Sequence, residues 1–310
     1  MSEPRHHHYL SQCYLRGFTS GVGKRARLTV IDPTARTSFE TNTRGVGGVR
    51  DFNRIDIDGI DPNFIERELA KFEGKAATAL RELENGEAFK EDRKNTILEL
   101  ISLLAIRTPA MRENLSKPFL QMAKFEMANG LSDKKQWEEA RARAHAEEGT
   151  EVDTSITFEQ IKELHDAGGL EVSIRREHQI HLEMMGAGMI FELLQQRGWI
   201  LVKAKHGEGD FITSDNPVVL TWTNPDEMPN FESPGFGREN TLVFFPVTKR
   251  LMLVGEYGKG DGVSEISRDT IALFNSRTIS NCSERILSSD NNFVFFGKGR
   301  VLKKGSSLIN

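Results

Sequence analysis

The spacing of the apolar residues changes once along the chain, near Trp199, and this change limits the fold more than any other sequence feature. Between residues 61 and 197 apolar side chains recur at helical intervals, as at Ile65, Leu69 and Phe72. This pattern predicts a block of amphipathic helices. Beyond Trp199, short alternating segments separated by turn residues predict strands.

Two strand-like segments also precede the helical block. Residues 27–32 and 36–42 lie on either side of Pro33 and predict a hairpin. Strands at both ends of a helical block indicate an α+β fold, with a mostly antiparallel sheet built from the N-terminal hairpin and the C-terminal strands. We therefore predict a single domain over residues 1–310, with 61–197 a helical block and 199–300 the main sheet region.

Three local predictions complete this outline. Apolar spacing predicts a short helix over residues 6–18. The glycine-rich residues 45–48 predict a flexible turn, because no phosphate-loop lysine follows them. Residues 173–197 predict a long helix whose core face includes Met185 and Met189.

The charge balance argues against a general nucleic-acid-binding surface. The chain has 41 basic and 45 acidic residues, a formal net charge of -4, although a local basic face stays open. The two cysteines, Cys13 and Cys282, lie far apart in the sequence and are expected to be free thiols. No apolar run reaches membrane-spanning length and the first residues are polar, so we expect a cytoplasmic protein without membrane contact.

Three consecutive histidines, His6 to His8, are the first candidates for chemistry. Imidazole titrates near neutral pH and binds divalent metals, so this segment could supply a general base or a metal ligand. Adjacent residues point in different directions, so at most two of the rings could serve one site. The alternative is a polar segment that hydrogen bonds hold in place.

A second candidate is the segment Ser214-Asp215-Asn216-Pro217, at the end of a predicted strand. Asp215 could orient a histidine, bind a metal or accept a substrate donor. Asp, Asn and Pro are also turn formers whose side chains satisfy backbone groups, so a structural role is equally consistent with the sequence.

Basic residues near helix ends could hold an anion. Arg107 ends an apolar helix and Arg16 lies in the N-terminal segment, and a guanidinium can bind phosphate or carboxylate through two hydrogen bonds. The structural alternative is an ion pair at a helix end. His178 and His181 are three residues apart on a helix but lack a marked third ligand, which argues against a metal site there.

These segments together resemble a bacterial family called domain of unknown function 4238. Residues 7–18 match a His-His-x-x-x-x-x-Tyr-Leu-x-x-Phe pattern, and residues 213–217 match Thr-Ser-Asp-x-Pro. The Arg-Thr-Pro step at 107–109 is also similar, whereas the proline often found after the His pair is absent. The resemblance marks these stretches as family features and implies no particular activity.

Two hypotheses follow from the candidate residues. The first is a hydrolase or nuclease-like enzyme that acts on a phosphate-containing substrate, such as a nucleotide. The second is a non-catalytic ligand-sensing or protein-interaction module in a bacterial defence or mobile-element system. The sequence leaves cofactor, metal and oligomeric state open. The candidate catalytic residues are His7, His8 and Asp215, and the candidate substrate-binding residues are Tyr14, Arg16, Arg107, Ser214 and Asn216.

Overall fold

A computed structural model describes residues 5–148, 156–224 and 233–309. The chain divides into two compact units. The smaller unit is Arg112–Gln179, and the larger combines Met1–Met111 with Ile180–Asn310. All the strands and all the candidate residues except His178 belong to the larger unit. The single domain expected from the sequence stays a prediction.

Helices occupy most of the described residues between 64 and 195, which confirms the predicted helical block. The helices are α1 (Gln12–Leu15), α2 (Phe64–Glu84), α3 (Glu91–Ile106), α4 (Pro109–Gly130), α5 (Lys134–Glu148), α6 (Phe158–Asp166), α7 (Arg176–Gln195) and α8 (Arg268–Asn281).

Strands lie on both sides of this block. They are β1 (His6–His8), β2 (Leu28–Asp32), β3 (Thr37–Thr41), β4 (Gly48–Arg50), β5 (Gly198–Ala204), β6 (Thr213–Ser214), β7 (Val219–Trp222), β8 (Thr241–Thr248), β9 (Leu251–Glu256), β10 (Gly262–Ile266), β11 (Ile286–Ser288), β12 (Val294–Phe296) and β13 (Leu302–Lys304).

The strands form two larger sheets and two short pairs. The first sheet has the order β10-β5-β9-β8-β7, and only its β10–β5 pair is parallel. The second has the order β3-β2-β11-β6 and is antiparallel throughout. The predicted N-terminal hairpin is β2–β3, and its pairing with β11 joins it to the C-terminal strands. The α+β class and the mostly antiparallel sheet are therefore confirmed.

Strand β8, which lies between β9 and β7, is buried on both faces. Val243, Phe245 and Val247 pack in one cluster with α1, α2 and α3, while Phe244 packs in another with Ile271 of α8. Successive side chains of a strand alternate between faces, so an unbroken apolar run is what a doubly covered strand requires. Each fully buried side chain of this size contributes about 1.5–3 kcal/mol.

The N-terminal prediction was partly wrong. Residues 6–8 form strand β1, which pairs with β4, a strand that begins at Gly48, the last residue of the predicted flexible turn, and the helix begins only at Gln12. The apolar spacing was informative even so, because Leu10, Tyr14 and Phe18 are all buried. Pairing across about forty residues of chain leaves no local periodicity from which it could have been predicted.

The predicted core face of α7 was also wrong in part. Met185 and Met189 are 55% and 64% exposed. The buried positions of this helix are Ile180, Glu183, Ala187 and Leu194. Methionines occur along several faces of this helix, so the sequence did not identify the buried one.

Both cysteines are free thiols, as predicted. Among the described residues, no helix combines the length and the apolar character needed to cross a membrane.

Candidate functional site

The strand geometry of β1 separates the three histidines. His7 pairs with Val49 and is fully buried, whereas His6 is exposed and His8 is partly buried. Alternation along a strand places His6 and His8 on one face. Their rings meet edge to face with centroids 5.1 Å apart. His7 and His8 therefore have different surroundings.

His7 belongs to a buried hydrogen-bond network. The Asn53 backbone N–H donates to His7 Nδ1 at 2.9 Å. The Asn53 side chain donates to Glu66 Oε2 at 2.6 Å and accepts from Arg107 Nη2 at 3.2 Å. Asn53 is 1% exposed and Arg107 5% exposed. The structure thus links His7 and Arg107, two of the predicted residues, through an asparagine.

Helix ends position the two charges of this network. Glu66 lies in the first turn of α2, and Arg107 is the C-cap of α3. A carboxylate near a helix N-terminus and a cation near a C-terminus both interact favourably with the helix dipole. The arginine that the sequence predicted to end a helix does so, and its guanidinium faces inward, away from solvent.

A second glutamate of α2 lies close to the same network. Glu73 follows Glu66 by seven residues, which is two helical turns along one face. Burial raises the pKa of Glu73, while a hydrogen bond from Ser11 and the charges of Arg107 and Arg16 oppose that rise. Arg107 therefore shares Asn53 with Glu66 and interacts electrostatically with Glu73.

His8 is the candidate proton-transfer group. Its Nε2 is buried and, within the described chain, has no hydrogen-bond partner. Burial lowers the pKa of His8, an effect partly offset by a hydrogen bond with the Arg44 backbone and by the charge of Glu66. A lowered pKa keeps the imidazole neutral at pH 7, as a general base requires.

We expect this histidine to make the fold sensitive to mild acid. The pKa of His8 in the folded chain lies below its ordinary value of 6.5, so between these two values only the unfolded chain takes up the proton. Stability present above pH 6.5 is then lost as pH falls through that window. Urea unfolding between pH 7.5 and pH 5 should show a smaller loss for His8→Gln than for the wild type.

Two features keep this measurement specific. Glu73 has a raised pKa, so it contributes with the opposite sign, stability falling as pH rises above its ordinary 4.5. Glu73 is present in both the wild type and His8→Gln, so its contribution cancels when their pH dependences are compared. His206→Gln is the control, because His206 is exposed. An identical pH dependence in His8→Gln and His206→Gln would refute the prediction.

A cationic cavity of about 800 Å³ has Arg44 among its lining residues, whereas His8 is not one of them. Its lining includes three basic residues, Arg16, Lys24 and Arg44, and no acidic residue among those that the structure describes. Arg44 supplies the backbone contact to His8, and Arg16 interacts electrostatically with Glu73. The remaining lining residues are Gln12, Thr19, Gly21, Val22, Gly23, Ala26, Asn42 and Thr43.

Asp215 lies in a different hydrogen-bonded arrangement. Its carboxylate accepts the backbone N–H groups of Ser283, Glu284 and Arg285 at 2.9, 2.7 and 3.1 Å. It is 8% exposed. Three amide donors leave little capacity for a substrate or a proton, so these contacts favour the structural interpretation of Asp215.

The neighbours of Asp215 are engaged in the same way. Ser214 Oγ donates to the Asn216 carbonyl at 2.9 Å and accepts its N–H at 3.1 Å. The Asn216 side chain donates to the Asn281 carbonyl at 3.1 Å. These hydrogen bonds connect the turn to Asn281, the last residue of α8.

The two family-like segments do meet, but in the core. Tyr14, which is fully buried, forms a hydrogen bond of 2.6 Å between its hydroxyl and that of Thr213. Tyr9 packs against Phe52 with ring centroids 6.0 Å apart. Burial, followed by the charge of Asp215, raises the pKa of Tyr9 to about 12. Tyr14 therefore serves the packing of the two segments.

Sequence reasoning missed Asn53, Glu66, Glu73, Lys24 and Arg44. The seven-residue spacing of the two glutamates on a predicted helix was a usable signal for a shared face. Asn53 lies in an irregular segment and carried no such signal. Lys24 and Arg44 contributed only to local basic charge, which the overall charge balance concealed.

Comparison with known proteins identifies one family. The model of the family described as Protein of unknown function (DUF4238) matches residues 6–292. This span includes the three histidines, the Arg-Thr-Pro step and the Thr-Ser-Asp turn. Neither the curated proteins nor the solved structures contain a significant match.

Proposed function

Since the chain belongs to the DUF4238 family, whose description assigns no activity, we propose a function from the site itself: it binds a phosphate-containing small molecule in the cationic cavity and hydrolyses it. The observation that carries the proposal is the lining of that cavity. Arg16, Lys24 and Arg44 provide three cations without a carboxylate among the described lining residues. Such a surface selects anions, and arginine suits phosphate oxygens.

The hydrogen bond between His8 and the backbone of Arg44, a lining residue of the cavity, supports hydrolysis. In the proposed reaction His8 accepts a proton from water, the water oxygen attacks phosphorus, and the ester oxygen leaves with a proton from solvent. Arg16 and Arg44 offset the charge on the phosphoryl oxygens. Glu66 and Glu73 keep their interactions with Asn53 and Arg107 during the reaction, and these interactions hold the β1 segment in place.

We expect Arg44→Gln and Arg16→Gln to weaken phosphate binding by about 10- to 100-fold each. The reason is the loss of a charged hydrogen bond, which contributes about 1.5–3 kcal/mol. Calorimetric titration with inorganic pyrophosphate measures this. Arg36→Gln is the matched control, an exposed arginine that does not line the cavity, and its affinity should equal that of the wild type.

Turnover is measured separately, as phosphate released from a panel of phosphomonoesters and nucleotides. His8→Gln should keep pyrophosphate affinity and lose release. Absence of pyrophosphate binding by the wild-type chain would refute the proposal.

A non-catalytic ligand-sensing module is the second candidate. The observation that favours it is the engagement of Asp215, whose oxygens accept three backbone amides, contacts that support a structural role for Asp215 over a catalytic one. Tight binding of pyrophosphate without release from any substrate in the panel would select this alternative.

A further inference from the structure

A glycine loop of residues 20–27 forms one wall of the cationic cavity. Backbone hydrogen bonds between Ser20 and Arg27, of 2.8 and 3.0 Å, close its base. Gly21 and Gly23 have φ values of +72° and +58°, a conformation that other residues adopt only with strain. The glycines are therefore required by the path of the loop.

Four consecutive amides in this loop have no acceptor among the residues that the structure describes. The N–H groups of Arg25 and Ala26 donate to the carbonyls of Val22 and Gly23 at 3.2 Å each. In the described chain, the N–H groups of residues 21–24 make no such bond. All four residues line the cavity. Successive amides in a turn with left-handed residues form a concavity that binds anions.

The loop is held in shape by its own arginine. Arg27 Nη1 donates to the carbonyls of Lys24 and Ala26 at 3.0 Å each. Those contacts turn two carbonyl oxygens toward a cation. An oxygen pointing into an anion site would repel the ligand, so the arrangement is consistent with a surface that presents donors.

The remainder of the lining limits the class of ligand. It contains no aromatic side chain among the described residues, whereas proteins that bind single-stranded nucleic acid stack bases on aromatic rings. A volume of about 800 Å³ suits a small molecule. Three cations and a run of amides at one place suit a dianion, which a terminal phosphate provides and an internal phosphodiester does not.

We propose that the glycine loop, with Arg16 and Arg44, binds a terminal phosphate group, so the ligands are phosphomonoesters or diphosphates and not nucleic-acid strands. This inference rests on the proposed function, because it names the substrate class of the same cavity. The loop amides contact the phosphate oxygens, and the two guanidinium groups balance their charge.

Calorimetry with inorganic pyrophosphate and with an oligothymidylate lacking terminal phosphates tests the proposal. The wild type should bind pyrophosphate and bind the oligonucleotide at least about tenfold more weakly. Gly23→Ala should weaken pyrophosphate binding by at least about tenfold, because alanine displaces the loop from its left-handed conformation. An added Cβ at Gly23 meets no atom within 4 Å, so steric overlap is not the cause.

Gly207→Ala is the matched control. Gly207 has a φ of +80°, also faces open space and lies outside the cavity lining, so this variant should bind pyrophosphate like the wild type. Equal affinities of Gly23→Ala and Gly207→Ala would overturn the loop assignment. Oligonucleotide binding as tight as pyrophosphate binding would overturn the substrate class. In both cases the proposed function stands, whereas failure of the wild type to bind either anion overturns both.

Discussion

Replacement of Arg197 by methionine is expected to lower the free energy of unfolding by about 3–5 kcal/mol. Arg197 is 2% exposed. Its Nη1 donates to the Thr241 carbonyl at 2.6 Å, and its Nη2 donates to the Phe236 carbonyl at 2.7 Å and to the Thr241 hydroxyl at 2.8 Å. The guanidinium also stacks on Tyr257, 4.1 Å from the ring centroid.

The effect is large because water cannot replace the guanidinium. Methionine fills much of the same volume but donates no hydrogen bond, so several buried oxygens lose a partner. No carboxylate pairs with Arg197 in the described chain, and the protein neutralises this cation through backbone carbonyls and an aromatic face. Urea unfolding monitored by tryptophan fluorescence measures the loss.

Arg250→Met is the matched comparison. Arg250 also donates to backbone carbonyls, those of Gly209 and Lys205 at 2.8 Å each, but its side chain is 34% exposed. Water can reach those carbonyls after the substitution, so we expect a loss of about 1 kcal/mol. Equal losses for the two variants would mean that burial does not determine the contribution of these arginines.

Asp215→Ala is expected to cost about 3 kcal/mol or more of unfolding free energy. Three backbone N–H groups of residues 283–285 would lose a charged acceptor in a nearly buried turn. Hydrogen bonds to charged groups contribute about 1.5–3 kcal/mol each and do not add fully. The turn joins β6 and β11 to the end of α8. Loss of the Asp215 carboxylate therefore weakens the contacts among these three elements.

The control for this prediction is Asp32→Ala. Asp32 Oδ1 also accepts two backbone amides, from Thr34 and Ala35 at 2.9 and 2.7 Å, but in an exposed turn. Its substitution should cost at most about 1 kcal/mol, because water replaces the carboxylate. Affinity for pyrophosphate, measured well below the unfolding transition, distinguishes a structural role of Asp215 from a role in ligand binding or catalysis. If Asp215→Ala kept wild-type stability and lost binding or turnover, Asp215 would be a site residue and the structural interpretation would be wrong.

Local sequence patterns predicted the helices and strands well, but they did not predict which distant strands pair with each other. The helical block, the β2–β3 hairpin and the turn character of residues 214–217 follow from periodicity and from the backbone preferences of Asp, Asn and Pro. The pairing of β1 with β4 depends on residues about forty positions apart. Strand His6–His8 therefore looked like part of a helix, since its apolar neighbours do have helical spacing.

The candidate site shows the same division. Imidazole, guanidinium and carboxylate side chains were identified as candidates by their chemistry alone. That His7 is buried against Asn53 while His8 adjoins Arg44 depends on the alternation of β1 and on the approach of the 42–54 segment. Sequence position carries no information about which carboxylate meets which donor, and so Asp215 was grouped with the histidines.

The sequence by itself determined the α+β class, the mostly antiparallel sheet and the family membership, because these depend on periodic burial and on motifs that lie within short stretches of chain. Only the tertiary structure decided that Asp215 fastens a turn, that Glu66 and Arg107 flank Asn53, and that Arg16, Lys24 and Arg44 share one cavity. The physical reason is that hydrogen-bond partners and local electric fields depend on distances in space, and residues distant in sequence set those distances.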